Sequence, residues 1–252
     1  MNSVERFRNL VEESGHIVGF TGAGVSTESG IADYRSQGGI WEKFQPVYFD
    51  EFKKDENKRK LYWERKAAMW QSLKEALPGP AHTFFTQLYM RGKLSGLITQ
   101  NIDGLHEKSG LPPQVMVNLH GTSLEIICLD CGDIQPAERI MDNLDLAEGC
   151  PRCHICNGLL KPNTISFGQS LEEESLLLAE QLSRNCDLLI AAGSTLVVHP
   201  AASFPLLAKQ SGAKLIILTL SETPLDEAAD LVINEPMGSF LQKLFSLGSR
   251  IH

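Results

Sequence analysis

Six short apolar runs punctuate the chain, and they restrict its fold more than any other feature. They are IVGF (17–20), GLIT (96–99), VMVNL (115–119), DLLIAAG (187–193), KLIIL (214–218) and DLVI (230–233), each bounded by Gly, Asp or a polar turn. Runs this apolar lack the in–out alternation of a half-exposed strand, so both of their faces must be covered. Helical stretches lie between them: HTFFTQLYMRG (82–92), ESLLLAEQLSR (174–184) and AASFPLLAKQSG (201–212). The last closes on a glycine, as a helix C-cap requires. Val4, Phe7, Leu10 and Val11 place one more amphipathic helix ahead of the first run. This alternation predicts an α/β fold with a doubly wound, mostly parallel sheet. A chain of 252 residues, 42% of them hydrophobic, is long enough to cover such a sheet on both sides.

Two stretches break the alternation. Residues 37–80 are aromatic, charged and expected to be helical, ending at Pro78-Gly79-Pro80. Residues 128–160 hold five of the six cysteines and little apolar periodicity. The expectation is a smaller domain made of 37–80 and 128–160, beside a larger one made of 1–36, 81–127 and 161–252.

A net charge of −8 speaks against nucleic acid or an anionic membrane surface as a partner, since both demand basic surface. The basic cluster KKDENKRK (53–60) alternates with acids and is expected to be solvated. The first residues carry charges every few positions, with no apolar leader, and no run reaches the 18 or so apolar residues of a membrane span. A soluble, cytoplasmic protein is expected, whose cysteines read as metal ligands or free thiols before disulfides.

Cys128-Leu129-Asp130-Cys131 and Cys153-His154-Ile155-Cys156 are two C-x-x-C knuckles with 21 residues between them. Each lets two thiolates reach one ion from a single turn, and two knuckles complete the closed tetrahedron of a structural zinc ribbon. A tetrahedral sulfur site also suits iron. Cys150 with Cys153 offers a second register for the later knuckle. Cys186, ahead of an apolar run, reads as a small core residue.

In open α/β sheets ligands bind beyond the carboxyl ends of the strands, and here those ends are heavily polar. The first run leads into Gly22-Ala23-Gly24-Val25-Ser26, whose glycines admit a pyrophosphate near a helix N-terminus. The dinucleotide fingerprint of dehydrogenases is broken, however. Thr27 stands where a third glycine belongs, and WEKFQPVYFDEF (41–52) replaces the second strand. The other ends read Thr99-Gln100-Asn101-Ile102-Asp103-Gly104-Leu105-His106, Asn118-Leu119-His120-Gly121-Thr122 and Gly193-Ser194-Thr195-Leu196. Asp103 and His106 also read as capping or buried hydrogen-bonded side chains. His120, between a strand and a glycine, can face a cleft and titrate near neutral pH.

The blocks GAGVSTESGIADYR, TQNIDGLH, LHGT, the paired knuckles, LLKPNTISFGQ and GSTLVVHPAA occur in the order and spacing of the sirtuins, and the resemblance spans nearly the whole chain. It implies a Rossmann-like NAD-binding domain and NAD-dependent removal of acetyl or other acyl groups from protein lysines. The products are nicotinamide, O-acyl-ADP-ribose and free lysine; mono-ADP-ribosyl transfer is the alternative. By the same resemblance, Gly22, Ala23, Gly24 and Ser26 cradle NAD phosphates. A cofactor loop follows, with Asp33, Arg35 and, in place of the usual Phe, Tyr34. Gln100, Asn101, Ile102 and Asp103 grip nicotinamide and ribose. Gly193, Ser194 and Thr195 serve the adenosine side, where Thr219 replaces a common Asn. His120 is the implied general base, acting with Asn101 and Asp103. Ile165, Phe167 and Gly168 face Leu196 and Val197 across the implied groove for an extended acyl-lysine peptide. The implied metal set is Cys128, Cys131, Cys153 and Cys156 around one structural Zn²⁺, with Cys150 spare. A monomer is favoured, with no nucleic-acid or membrane partner. Tyr62 and Arg65 have the spacing with which one sirtuin branch reads an acidic acyl chain; the alternative is that Tyr62 and Trp63 pack the small domain while Arg65 is solvated.

Overall fold

The computed structural model describes residues 1–33 and 45–246; the expectations for Tyr34 and Arg35 lie outside these residues. Helix α1 (Ser3–Glu13) starts on a capping box between Asn2 and Glu5 and leads to strand β1 (Ile17–Thr21). A 3₁₀ segment (Ala23–Ser29) follows. Helices α2 (Phe49–Lys54), α3 (Glu56–Glu75) and α4 (Pro80–Met90) come next, then β2 (Leu94–Thr99), the short α5 (Leu105–Lys108) and β3 (Met116–Asn118). Strands β4 (Gly121–Cys128) and β5 (Ile134–Pro136), helix α6 (Glu138–Met141) and β6 (Leu160–Thr164) lead into α7 (Glu173–Asn185). The chain then runs through β7 (Leu188–Ala192), α8 (Ser203–Gln210), β8 (Lys214–Leu218), β9 (Leu231–Ile233) and α9 (Met237–Ser246).

Six strands form one sheet in the order β3-β2-β1-β7-β8-β9, every pairing parallel. Along β7, Leu188, Ile190 and Ala192 enter one apolar cluster, with Phe7, Phe84, Phe85 and Phe240. Leu189 and Ala191 enter the cluster on the opposite face, with Phe20, Ile98 and Phe204. Burial on both faces is what made these runs almost wholly apolar. Gly19 is small for a reason: a Cβ there would lie 2.4 Å from Leu97 Cδ1 and 2.7 Å from the Phe85 ring, so α4 could not pack on β1. Strand order reverses beside β1, which neighbours β2 on one side and β7 on the other, and crevices for ligands open at such points.

A second sheet, antiparallel and three-stranded, has the order β5-β4-β6. Its apolar cluster draws on both anomalous stretches: Phe52, Trp63 and Trp70 pack with Ile126, Met141, Cys153 and Leu160. The basic cluster 53–60 is only partly solvated. Arg59 is buried, and its Nη1 donates to the carbonyls of Phe52 (2.7 Å) and Lys53 (3.1 Å), so this cation caps the last turn of α2. Only Leu119 and His120 separate β3 from β4, so the chain crosses from one sheet to the other at His120. Gly121 makes the crossing possible. Its φ is +72°, and a Cβ there would stand 2.1 Å from the Asn163 carbonyl oxygen. Among the described residues no helix is long and apolar enough to cross a membrane.

Candidate active site and cysteine centre

The ends of β1 and β7 meet backbone to backbone. Gly22 N–H donates to Ala192 O (3.0 Å), and Gly24 N–H donates to Gly193 O (2.8 Å). A Cβ on Gly24 would come within 2.8 Å of Gly193 O, and one on Gly193, whose φ is +60°, within 2.4 Å of Val25 N. No side chain fits here, because the Gly193 backbone fills the space beside Gly22 and Gly24, and this glycine cradle lies beyond the strand ends, where open α/β sheets bind ligands. Ser194 Oγ accepts from Gln100 Nε2 (2.9 Å) and ties the end of β7 to the end of β2. Thr195 is half-buried beside it. Thr219 is buried after β8, its N–H on Ile233 O.

Ser26 is the hub of the polar cluster beyond β1 and β2. Its hydroxyl donates to Asp103 Oδ2 (2.6 Å) and accepts from Asn101 Nδ2 (3.2 Å). His82 Nε2 lies 3.3 Å from the same oxygen. Gly79 N–H donates to His82 Nδ1 (3.0 Å), so the imidazole hydrogen sits on Nε2 and points at Ser26. The other Asp103 oxygen accepts from Leu105 N–H (3.0 Å). A buried carboxylate with its oxygens bonded stays where it is, since losing a partner leaves a desolvated charge. Ile102, between the two polar residues, is half-exposed and its carbonyl accepts from Ser123 N–H (2.8 Å).

His120 is held from both sides. Its Nδ1 lies 3.0 Å from Gln100 O, and its own carbonyl accepts from Ile165 N–H (2.9 Å). A carbonyl only accepts, so Nδ1 carries the hydrogen and Nε2 keeps its lone pair. Burial holds the imidazole below its ordinary pKa, against the opposing pull of the Gln100 carbonyl, so the ring is mostly neutral at pH 7. This is the state of a general base.

Ile165 leads to Phe167, which is 45% exposed, and to Gly168 at φ +79°. The Phe167 ring stands 6.0 Å from Tyr48, and its carbonyl accepts from Phe49 N–H (2.9 Å). Leu196 is buried in the left-handed region (φ +53°), and Val197 beside it is 48% exposed. Tyr62 packs edge-on against Phe52 at 5.0 Å, its hydroxyl 3.3 Å from Thr164 Oγ1, and Trp63 is fully buried. Arg65 is only partly solvated: it is half-buried and donates to the Gln45 carbonyl.

The sulfurs of Cys128, Cys131, Cys153 and Cys156 lie within 4.8 Å of one another, with Cys128 Sγ 3.5 Å from Cys156 Sγ and Cys131 Sγ 3.7 Å from Cys153 Sγ. Cys150 is outside that group. Burial opposes the Cys128 thiolate, yet the N–H groups of Cys131 and Asp130 and the neighbouring thiols outweigh it and bring Cys128 down to about 7. For Cys156 the Gly158 N–H favours the thiolate, but the adjoining thiols push it up to about 12. One closed set of four sulfurs is the donor set that suits a structural Zn²⁺.

The model of the Sir2 family matches residues 22–200, from the glycine cradle past both knuckles and His120 to the end of the Leu196 turn. This chain belongs to the Sir2 family. A protein of Bradyrhizobium diazoefficiens named NAD-dependent protein deacetylase 1 is 43% identical over 240 residues, covering 95% of this chain and 94% of that one. The NAD-dependent protein deacetylase of Thermotoga maritima is 36% identical over 245 residues, covering 97% and 98%. Among solved structures, a Sir2 variant with a deacetylated p53 peptide and 3′-O-acetyl ADP ribose matches at a TM-score of 0.88. It is 34% identical, with coverage of 98% and 99%.

In this Sir2-family chain the sequence gives His82 no role at the site. His82 reads there only as a residue of the helix after Pro78-Gly79-Pro80. A polar side chain at the third position of a helix opened by Gly-Pro was the available signal, because that place suits a bond back to the cap. The hydroxyls of Thr21 and Thr99, the last residues of β1 and β2, are bonded to each other at 2.8 Å.

Proposed function

We propose that this Sir2-family chain is an NAD-dependent protein-lysine deacylase that moves acetyl or another acyl group from lysine to ADP-ribose and releases nicotinamide. One observation carries the reading: His120 stands at the crossing between the two sheets with its hydrogen committed to Gln100 O and its Nε2 lone pair uncommitted by that bond. NAD, when bound, supplies the nicotinamide–ribose bond whose cleavage opens a ribose carbon to the acyl oxygen. The residues of the chain do the rest. The turn of Gly22, Ala23 and Gly24, with Ser26, holds the pyrophosphate, and Gly193, Ser194, Thr195 and Thr219 lie toward the adenosine. Asn101 and Asp103, aimed by Ser26, hold nicotinamide and ribose, with Gln100 and Ile102 alongside. Asp33, Tyr34 and Arg35 belong to the cofactor loop of the same reading. His120 Nε2 accepts the proton shed by a ribose hydroxyl, an action worth roughly 10²–10⁴-fold in rate.

The acyl-lysine segment is read as an added strand between Ile165–Gly168 and Leu196–Val197, with Phe167 and Val197 as its exposed apolar edges. Cys128, Cys131, Cys153 and Cys156 hold one Zn²⁺ with no open position, so the ion braces the small sheet and takes no part in acyl transfer. The division into a larger unit of 1–36, 81–127 and 161–252 and a smaller one of 37–80 and 128–160, the cytoplasmic setting and the monomeric state belong to the same reading.

The test is mass spectrometry on lysine peptides carrying acetyl, succinyl, long fatty acyl and lipoyl groups, each with and without NAD. Deacylation of one of them only with NAD, together with the matching O-acyl-ADP-ribose, is the expected result and names the acyl group. Peptides left intact while a protein gains ADP-ribose would replace the reading with ADP-ribosyl transfer.

A further inference from the structure

His106 has no part in the function just described, yet it is among the most thoroughly buried polar residues, at 1% exposure. The rings of His82 and Phe85 stand edge-on to it, with centroids 4.7 and 6.1 Å away. Its Nε2 lies 3.0 Å from Thr21 Oγ1, and its Nδ1 is buried without a partner among the described residues. These contacts locate the proton. Thr21 gives its only hydroxyl hydrogen to Thr99 Oγ1 at 2.8 Å, so toward the imidazole it can only accept. Nε2 therefore carries the hydrogen. The opposite tautomer would bury an N–H with nothing to receive it, which folded chains avoid.

From there the bonds run on without a break. Thr99 Oγ1 also accepts the backbone N–H of Asn101 at 3.1 Å. Asn101 Nδ2 donates to Ser26 Oγ, and Ser26 Oγ donates to Asp103 Oδ2. The first link comes from a side chain buried behind the site, and the run takes in Asn101 and Asp103, the residues assigned to the nicotinamide end.

We propose that His106 is a positioning residue for NAD: its Nε2–H orients the Thr21–Thr99 hydroxyl pair, and that pair fixes the backbone at Asn101 and so the aim of Asn101 and Asp103. A hydroxyl rotates freely unless its lone pair is claimed. With the imidazole donor in place, Thr21 has one direction left for its hydrogen, and Thr99 is held as acceptor for Asn101. An apolar side chain would suit the surroundings of Phe85 and Leu105 better, so the donor is the property that this position uses. Burial and the neighbouring His82 keep the ring neutral, so it holds a geometry and moves no proton. The inference rests on the assignment of Asn101 and Asp103 to NAD.

The test compares His106→Phe, which keeps a ring and loses the donor, with His106→Gln, which keeps an amide donor near the Nε2 position, in the full zinc-loaded chain. NAD affinity is read by calorimetry, and KM is measured separately for NAD and for the acyl peptide. For His106→Phe, Kd and KM for NAD rise about fivefold to tenfold, the worth of one hydrogen bond, while the peptide KM stays within about twofold. His106→Gln recovers most of the loss, and Thr21→Val in the His106→Phe background adds less than about twofold, because both break one link. Should His106→Phe fail to fold, Thr21→Val alone carries the test, with the same rise in NAD constants. Equal behaviour of the Phe and Gln variants, or a lower melting temperature with both NAD constants unchanged, overturns the proposal. Because calorimetry needs no turnover, a wild-type chain that binds NAD in this pattern without deacylating refutes the deacylase reading alone. An active wild type with unresponsive variants refutes the positioning role alone.

Discussion

His120 Nδ1 and the Gln100 carbonyl oxygen stand 3.0 Å apart, and this one bond joins the strand that leads to His120 with the segment that carries Asn101 and Asp103. It fixes the tautomer, so His120 and the residues beside it are set by one piece of backbone. Replacing His120 by Ala is expected to lower kcat by about 10²–10⁴-fold while NAD binding changes by less than about threefold. Rate measurements with calorimetry of NAD check the split.

Acidity adds a second expectation. Burial is the main cause that holds His82, His106 and His120 below their ordinary value of 6.5; Asp103 pulls His82 the other way. The unfolded chain takes up protons at these positions near pH 6.5 and the folded chain does not. Folding is therefore most favoured above about pH 6.5 and loses up to about 1.4 kcal/mol per pH unit per histidine as pH falls from there toward the folded values. Urea unfolding at pH 7.5, 6.5 and 5.5 should give midpoints that fall a little over the first step and further over the second. The acid limb of kcat/KM should likewise lie below pH 6.5, with a flat profile through neutrality.

Ser26→Ala removes the hydroxyl that serves Asp103, Asn101 and His82 together. It leaves a buried carboxylate short of a donor, so a loss of about 1–3 kcal/mol in stability is expected, along with a raised KM for NAD. Thermal melts and NAD kinetics read the two effects separately.

Gly24→Ala introduces a Cβ 2.8 Å from Gly193 O, where only backbone stands to give way. The β1 and β7 turns must part, and NAD affinity should fall by about tenfold or more. An unchanged NAD Kd would mean that the pyrophosphate lies elsewhere.

Chelation should release one Zn²⁺ per chain and lower the melting temperature, and Cys128→Ser should bind none. Cys150→Ser, outside the four-sulfur group, should keep full zinc content by atomic absorption.

The larger sheet was legible because its strands are buried on both faces. All six apolar runs coincide with β1, β2, β3, β7, β8 and β9 to within two residues at each end. The smaller sheet was not, because β4 (GTSLEIIC) is mostly half-buried and pairs with residues far away in sequence. Helix α9 is not legible either, because what secures it is remote, with Phe240 against Phe7 at 5.2 Å. Arg59 shows the limit of charge patterning, since its burial depends on the carbonyls at the end of α2. At the site, strand-end residues announced themselves by following apolar runs, whereas His82 reaches Ser26 from a helix 56 residues on. Spacing alone left two registers for the second knuckle, and the fold gathers Cys153 and Cys156 with the first pair.

The most direct test of the central claim follows three products in one reaction of wild-type chain, NAD and acyl-lysine peptide. Nicotinamide, free-lysine peptide and O-acyl-ADP-ribose should appear in equal amounts, and all three should fall together in His120→Ala. Nicotinamide released without any loss of the acyl group would contradict the account.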